Sequence, residues 1–229
     1  MTMALAALVA LTGSVLAFDG TSNGGFEDNP DGFVNNGSGF MTLSPGDTEL
    51  APWNVISGDV QWIEGYWLAD EGDFSLDLAG DVPGAISQTI ATTVNNTYVV
   101  SFRLAGNPDG DLAKTLSVAA TGTAAQNYTF DATGQSTGDM GWTDAGYAFV
   151  AKGSSTTITF TNTMAANSPY GPALDGIIVT ETIATGAKCK NGGWVTMLDS
   201  EGTHFKNQGD CVSFYATKGN NLGAGEPTL

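Results

Sequence analysis

Positive charge, histidine and cysteine are scarce in this sequence. Of 229 residues only 7 are Lys or Arg against 24 Asp or Glu, a formal net charge of −17. Before residue 150 the only basic side chains are Arg103 and Lys114. A surface of that sign repels phosphate backbones, so the expected partners include no nucleic acid, and anionic membranes are disfavoured for the same reason. The one histidine, His204, lies near the C-terminus, and no G-x-S-x-G turn occurs. The body of the chain therefore lacks the oriented base that nucleophilic hydrolysis requires. Two cysteines and one histidine are too few protein ligands for a structural zinc site. No stretch beyond the first 17 residues is apolar enough to span a bilayer, and no strongly periodic helix is evident.

What remains is a turn-rich, strand-forming chain. It has 31 Gly, with Thr, Ser, Asn and Asp frequent. Short alternating segments recur between turn residues, which is the pattern of an antiparallel sandwich. A first strand is expected near 25–28, in Asn23-Gly-Gly-Phe-Glu27, and a last one at 170–180, in Tyr170-Gly-Pro-Ala-Leu-Asp175-Gly-Ile-Ile-Val179. If these two pair at the edge of one sheet, Glu27 and Asp175 come together, and two carboxylates so placed call for a cation. Between them, Phe74-Ser-Leu-Asp77-Leu alternates, with Ser75 and Asp77 on the face opposite Phe74, Leu76 and Leu78. Trp53, Trp62, Tyr66 and Trp67 crowd into 15 positions. Trp53 reads as core, whereas Tyr66 and Trp67, between Gly65 and the acidic Asp70–Asp73 loop, are candidates for an exposed groove. Arg103, the sole arginine, is either an ion-pair partner of Asp77 or a neighbouring carboxylate, or a planar donor fork for a ligand.

The ordered series NGGFE, LSPGDTELAPW, GDVQWIEGYW, FSLDLAG, GAISQTI, YVVSFRLAGNPDG, MGW and YGPALDGIIV resembles the bacterial choice-of-anchor C family. That family is similar to a plant cell-wall family catalogued as a domain of unknown function, and both resemble the galactose-binding-like jelly rolls of carbohydrate-binding modules. The resemblance covers roughly residues 21–181. It implies an all-β jelly-roll β-sandwich and a structural Ca²⁺ held by Glu27 and Asp175, with Gly25 and the Asp70–Asp73 loop supplying further oxygens. Asp175-Gly176 stands where many relatives carry Asp-Asn or Asp-Asp, so one possible side-chain ligand is missing.

The ends read differently. Residues 1–17 form an apolar run ending in small residues, an expected export signal although the usual preceding Lys/Arg is absent. After a linker at 182–187 come four of the seven basic residues and both cysteines. In an exported chain Cys189 and Cys211 are expected to pair and close a small module over 188–218. A disordered tail is expected at 219–229.

The expected function is non-catalytic binding of an extracellular or cell-surface polysaccharide. Tyr66, Trp67, Trp142 and Tyr170 would offer flat faces to sugar C–H groups, and Asp77, Gln88, Arg103 and Asn107 would meet the hydroxyls. The competing reading is a structural or adhesive surface protein with protein contacts. A glycoside hydrolase is the least favoured, because 24 acidic residues make a carboxylate pair easy to find without implying one that works.

Overall fold

A computed structural model of the chain describes residues 20–28, 32–182, 189–190, 192–199, 201–217 and 221–223. The expected export signal, most of the expected linker and most of the expected tail lie outside those residues. The chain divides into two compact units, one covering Ala17–Glu181 and the other containing Thr182 onward. Among the described residues no helix is long and apolar enough to cross a membrane.

The first unit is a jelly-roll β-sandwich. Its strands are β1 (Phe40–Leu43), β2 (Asn54–Ser57), β3 (Val60–Glu64), β4 (Phe74–Asp77), β5 (Ala85–Ala91) and β6 (Thr97–Gly106). They continue with β7 (Ala113–Ala120), β8 (Gln126–Asp131), β9 (Thr143–Val150), β10 (Ser155–Asn162) and β11 (Pro172–Thr182). A six-stranded sheet runs β1-β3-β4-β11-β6-β9, and a five-stranded sheet runs β2-β5-β10-β7-β8. Alternation explains the core. Tyr98, Val100, Phe102 and Leu104 of β6, with Ile158 and Phe160 of β10, point between the sheets because every second side chain faces one way. Trp53 is buried as expected and packs edge-on against Phe160, with ring centroids 5.9 Å apart.

Three expectations are corrected by the architecture. The segment 25–28 is a turn, with Phe26 in the left-handed region at φ 62° and its N–H on Asn23 O. The last strand is not an edge strand, because β11 lies between β4 and β6. β4 is short and reaches only Ala173 and Leu174 of β11, and the chain at 20–24 runs beside the rest of β11. There Ile177 N–H donates to Gly24 O (2.9 Å) and Thr21 Oγ1 to Ile177 O (3.0 Å). A Cβ on Gly24 would stand 1.9 Å from Ile177 O, so this approach requires glycine. The third correction concerns β4. Phe74 and Leu76 face the core, but Ser75 and Asp77 on the opposite face are also fully buried, Ser75 under Trp67 of the loop after β3 and Asp77 under Asn107 and Gly171.

In the second unit Cys189 and Cys211 are disulfide-bonded, and Met197, Phe205, Phe214 and Tyr215 pack around the bridge. It contains a helix that periodicity did not reveal, α1 (Gln208–Ala216), only nine residues long. Its start is nonetheless written locally: Asn207 Oδ1 caps the N–H of Asp210 at 3.0 Å.

Candidate functional site

The loop from Gly65 to Asp73 lies over the outer face of the six-stranded sheet and is fastened along its whole length. Trp67 Nε1 donates to Ser75 Oγ (2.8 Å), Leu68 N–H to Thr137 O (3.0 Å), and Trp142 Nε1 to Leu68 O (3.1 Å). Arg103 pairs with Asp70 (Nε–Oδ2, 2.8 Å) and Asp144 (Nη1–Oδ1, 2.6 Å) and donates to Trp142 O (3.1 Å). These contacts hold the guanidinium above its ordinary pKa. Of the two readings of Arg103, the ion pair is the one found, with Asp70 and Asp144 rather than Asp77.

The expected metal residues grip the far end of the same loop. Glu27 Oε1 accepts from the N–H groups of Asp73 (3.0 Å) and Phe74 (2.8 Å). Asp175, fully buried, accepts from Asp70 N–H (2.9 Å) and Glu71 N–H (3.2 Å) on Oδ2, and from Gly176 N–H (2.7 Å) on Oδ1. Burial pushes the Asp175 carboxyl up to about 7 against the pull of those donors. Calcium requires 6–8 oxygen ligands. Here backbone N–H groups meet both oxygens of Asp175, and among the described residues no three His, Cys, Asp or Glu side chains gather to hold a metal. This donor set does not form a calcium cage in this conformation. Gly25 borders the region, since a Cβ on it would lie 2.9 Å from Glu71 Oε1.

A second cluster joins three loops at the surface. Tyr66 follows β3, stands edge-on to Phe40 (5.9 Å) and donates from Oη to Asp109 Oδ2 (2.6 Å). That bond, with partial burial, raises the Tyr66 hydroxyl to about 12. Asp109 belongs to the β6–β7 turn Asn107-Pro-Asp-Gly110. Tyr170, 38% exposed, leads into β11 and lays its ring beside Gly110, where a Cβ would come within 2.5 Å of the ring. Tyr66 and Tyr170 thus flank one turn. Beneath them Lys114 is buried, its Nζ donating to Asp109 O (2.6 Å) and Tyr170 O (3.1 Å). Asp77, buried at the end of β4, accepts from Asn107 Nδ2 (2.9 Å) and from the N–H groups of Ala79 and Gly171 (both 3.0 Å). Burial lifts Asp77 to about 7, and burial lowers Lys114, with Asp77 opposing that shift.

The structure therefore brings together Tyr66, Asp77, Asn107 and Tyr170, and separately Arg103 and Trp142, with the Gly65–Asp73 loop joining the two groups. Trp67 and Gln88 fall outside. Trp67 is core, its ring covered and its N–H spent on Ser75, so it presents no face to a ligand. Gln88 is buried on the other sheet and clamps Ser22 through both its N–H (3.0 Å) and C=O (2.9 Å). Sequence reasoning missed Asp109, Lys114 and Asp144, and placed the Asp70–Asp73 loop on a cation where Asp70 pairs with Arg103. The Asn-Pro-Asp-Gly turn signalled Asp109, and Lys114 was conspicuous as one of only two cations before residue 150.

Residues 20–180 match the family described as "Protein of unknown function (DUF642)", and the chain belongs to that family. The link to the choice-of-anchor C family stays an expectation from the motifs. Halomucin of Haloquadratum walsbyi is 28% identical over 179 residues, which is 76% of this chain but only 2% of halomucin. Similar solved structures include TmCBM61 in complex with β-1,4-galactotriose (18% identity, TM-score 0.43, covering 70% of this chain and 97% of that one). Two more are the CBM35 from Paenibacillus barcinonensis (18%, 0.41, 61% and 98%) and the CBM35 from Cellvibrio japonicus Abf62 (14%, 0.43, 61% and 91%).

Proposed function

We propose that the protein is an exported, non-catalytic module that binds a neutral glycan at the surface formed by Tyr66, Asp109 and Tyr170. The observation that carries this reading is the pair of part-exposed tyrosines flanking a turn that is locked from behind by Lys114 and Asp77. Tyrosine rings pack on sugar C–H faces while their hydroxyls and a carboxylate exchange hydrogen bonds with sugar hydroxyls. A site held rigid before binding loses little entropy on binding. Acidic groups at the rim, with the net charge of −17, favour a neutral glycan over a uronate polymer. Export is supported by the Cys189–Cys211 bridge, since disulfides persist in oxidising compartments.

The test is affinity electrophoresis and calorimetry against galactan, mannan, xylan and mixed-linkage β-glucan, with polygalacturonate as the charged control. At least one neutral polymer should bind, and Tyr66→Ala or Tyr170→Ala should weaken it about tenfold, a loss of 1.4 kcal/mol. No binding across the panel, or binding indifferent to both substitutions, would refute the reading.

One observation favours the structural or adhesive alternative. Thr89, Thr157, Thr159, Ser117 and Thr129 follow the outward alternation of the five-stranded sheet and give it a hydroxyl-rich face, with Asp131 on its β8 edge, in a strongly acidic chain. If Thr159→Glu abolished adhesion or self-association while glycans failed to bind, that reading would replace the first.

A further inference from the structure

Behind the Tyr66 hydroxyl runs an unbroken line of hydrogen bonds to a buried acid. Tyr66 Oη donates to Asp109 Oδ2 (2.6 Å), Asp109 N–H donates to Asn107 Oδ1 (3.0 Å), and Asn107 Nδ2 donates to Asp77 Oδ2 (2.9 Å). The other oxygen of Asp77 accepts from Ala79 N–H and Gly171 N–H. Gly171 follows Tyr170, so Asp77 holds backbone from both sides of the site. The orientation of the Asn107 carboxamide is fixed by its neighbours, because its C=O faces an N–H and its NH₂ faces a carboxylate.

We propose that Asp77, acting through Asn107, is a positioning residue that sets Asp109 and Tyr66, and with them the affinity of the surface site, according to its own protonation state. This rests on the reading that the Tyr66–Tyr170 surface binds a glycan. As a carboxylate, Asp77 satisfies three donors. A proton on Oδ1 would oppose two N–H groups, whereas on Oδ2 it opposes only the Asn107 amide, so Oδ2 takes it. Two donors then face each other. Turning the Asn107 amide relieves that conflict but sets its NH₂ against Asp109 N–H. With the amide turned, Asp109 loses its tie to Asn107, and Tyr66 loses a partner held at that point.

The groups around Asp77 place this event near neutrality. Burial raises its carboxyl to about 7, and Lys114 on β7 opposes the shift. Asp109 and Asp111 act in turn on Lys114, and Asp77 acts on the Tyr66 hydroxyl. On the flanking strands the register partners of Asp77 are Gln61 and Ala173, both uncharged.

The test follows backbone amide shifts of the full chain by NMR between pH 5 and 8.5, with the four neutral polysaccharides as binding probes. Ala79, Gly171 and Asp109 amides should move together with one midpoint near 7. Affinity should fall about tenfold on going from pH 8 to 5.5. Asp77→Asn, which carries NH₂ where the acid carries its proton, should abolish the midpoint and hold affinity at the low-pH level. Should that variant fail to fold, Asn107→Ala serves instead: Ala79 and Gly171 should still titrate while Asp109 no longer responds. If Asp77 titrates in the wild type and the Asp109 amide stays still, the relay is refuted and glycan binding is untouched. If the amides behave as expected but no polysaccharide binds at any pH, the glycan reading fails and takes the affinity claim with it.

Discussion

Mild acid should stabilise the sandwich, the reverse of what a protein rich in ion-paired carboxylates does. The carboxyl of Asp77 titrates at 3.8 in an open chain and at about 7 where it is buried. Between those values the folded chain keeps a proton that the unfolded chain has lost. The stabilisation is complete below 3.8, declines as pH rises, and is gone above about 7. Each pH unit in that window is worth about 1.4 kcal/mol per group. Going from pH 7 to 5 should therefore add about 2–3 kcal/mol through Asp77 alone. Asp175 acts in the same direction, with a folded value also about 7, tempered by its three N–H donors. At 2–4 °C per kcal/mol for a domain of this size, the melting temperature should rise about 5–10 °C through Asp77.

The assay is thermal melting followed by near-UV circular dichroism, which reports the buried Trp53, Trp62 and Trp67. Acidification also relieves the repulsion of a −17 chain, so the series is run in about 0.5 M salt, where surface charges are largely screened. Asp77→Asn should remove the Asp77 share of the slope. A melting temperature that is flat or falling from pH 7 to 5, or a variant with the wild-type slope, would refute the argument. Global stability and order at the site then move oppositely. Dehydrating a buried charge costs more than the Asn107 contact returns, so the fold gains from a proton that the surface loses by.

Gly72→Ala should loosen the loop over the sheet, because its Cβ would fall 2.2 Å from Glu27 Oε1 at φ +61°; we expect about 1–3 kcal/mol of lost stability in denaturant melts. An unchanged midpoint would show that the Glu27 contacts carry no weight. Reducing the Cys189–Cys211 bridge, which spans 22 positions, should destabilise the C-terminal unit by about 3 kcal/mol and diminish the α1 signal in the far ultraviolet. A helix signal indifferent to reductant would contradict that. Calcium should leave the melting temperature unmoved, since N–H groups already meet the carboxylates of Glu27 and Asp175. A calcium-dependent rise that vanished in Glu27→Ala would instead establish the ion implied by the family resemblance.

How much of this was legible in the sequence depended on the range of the interaction involved. Period-two alternation placed β4, β6, β10 and the core role of Trp53, because it is a local property that the sheet cannot override without exposing a face. It failed where a second layer intervened. Ser75 and Asp77 read only as lying opposite the core, because nothing in Phe74–Leu78 announces that Trp67 returns over Ser75 or that Asn107 and Gly171 close over Asp77. The fold-back of that loop turned Trp67 from an expected ligand platform into core, since Gly65-Tyr66-Trp67 is written identically in both settings. The change of parity at Gly176 is a further case. Buried apolar residues run Leu174, Ile177 and Val179, so the parity of β11 changes at Asp175–Gly176. That shift, with the glycine at φ +51°, leaves Asp175 buried and turned to the N–H groups of the 70–71 loop. Sequence reasoning brought Glu27 and Asp175 toward one place through an expected strand pairing. The structure brings both to the loop at 70–74 without that pairing, because the loop needs acceptors for the backbone N–H groups it buries.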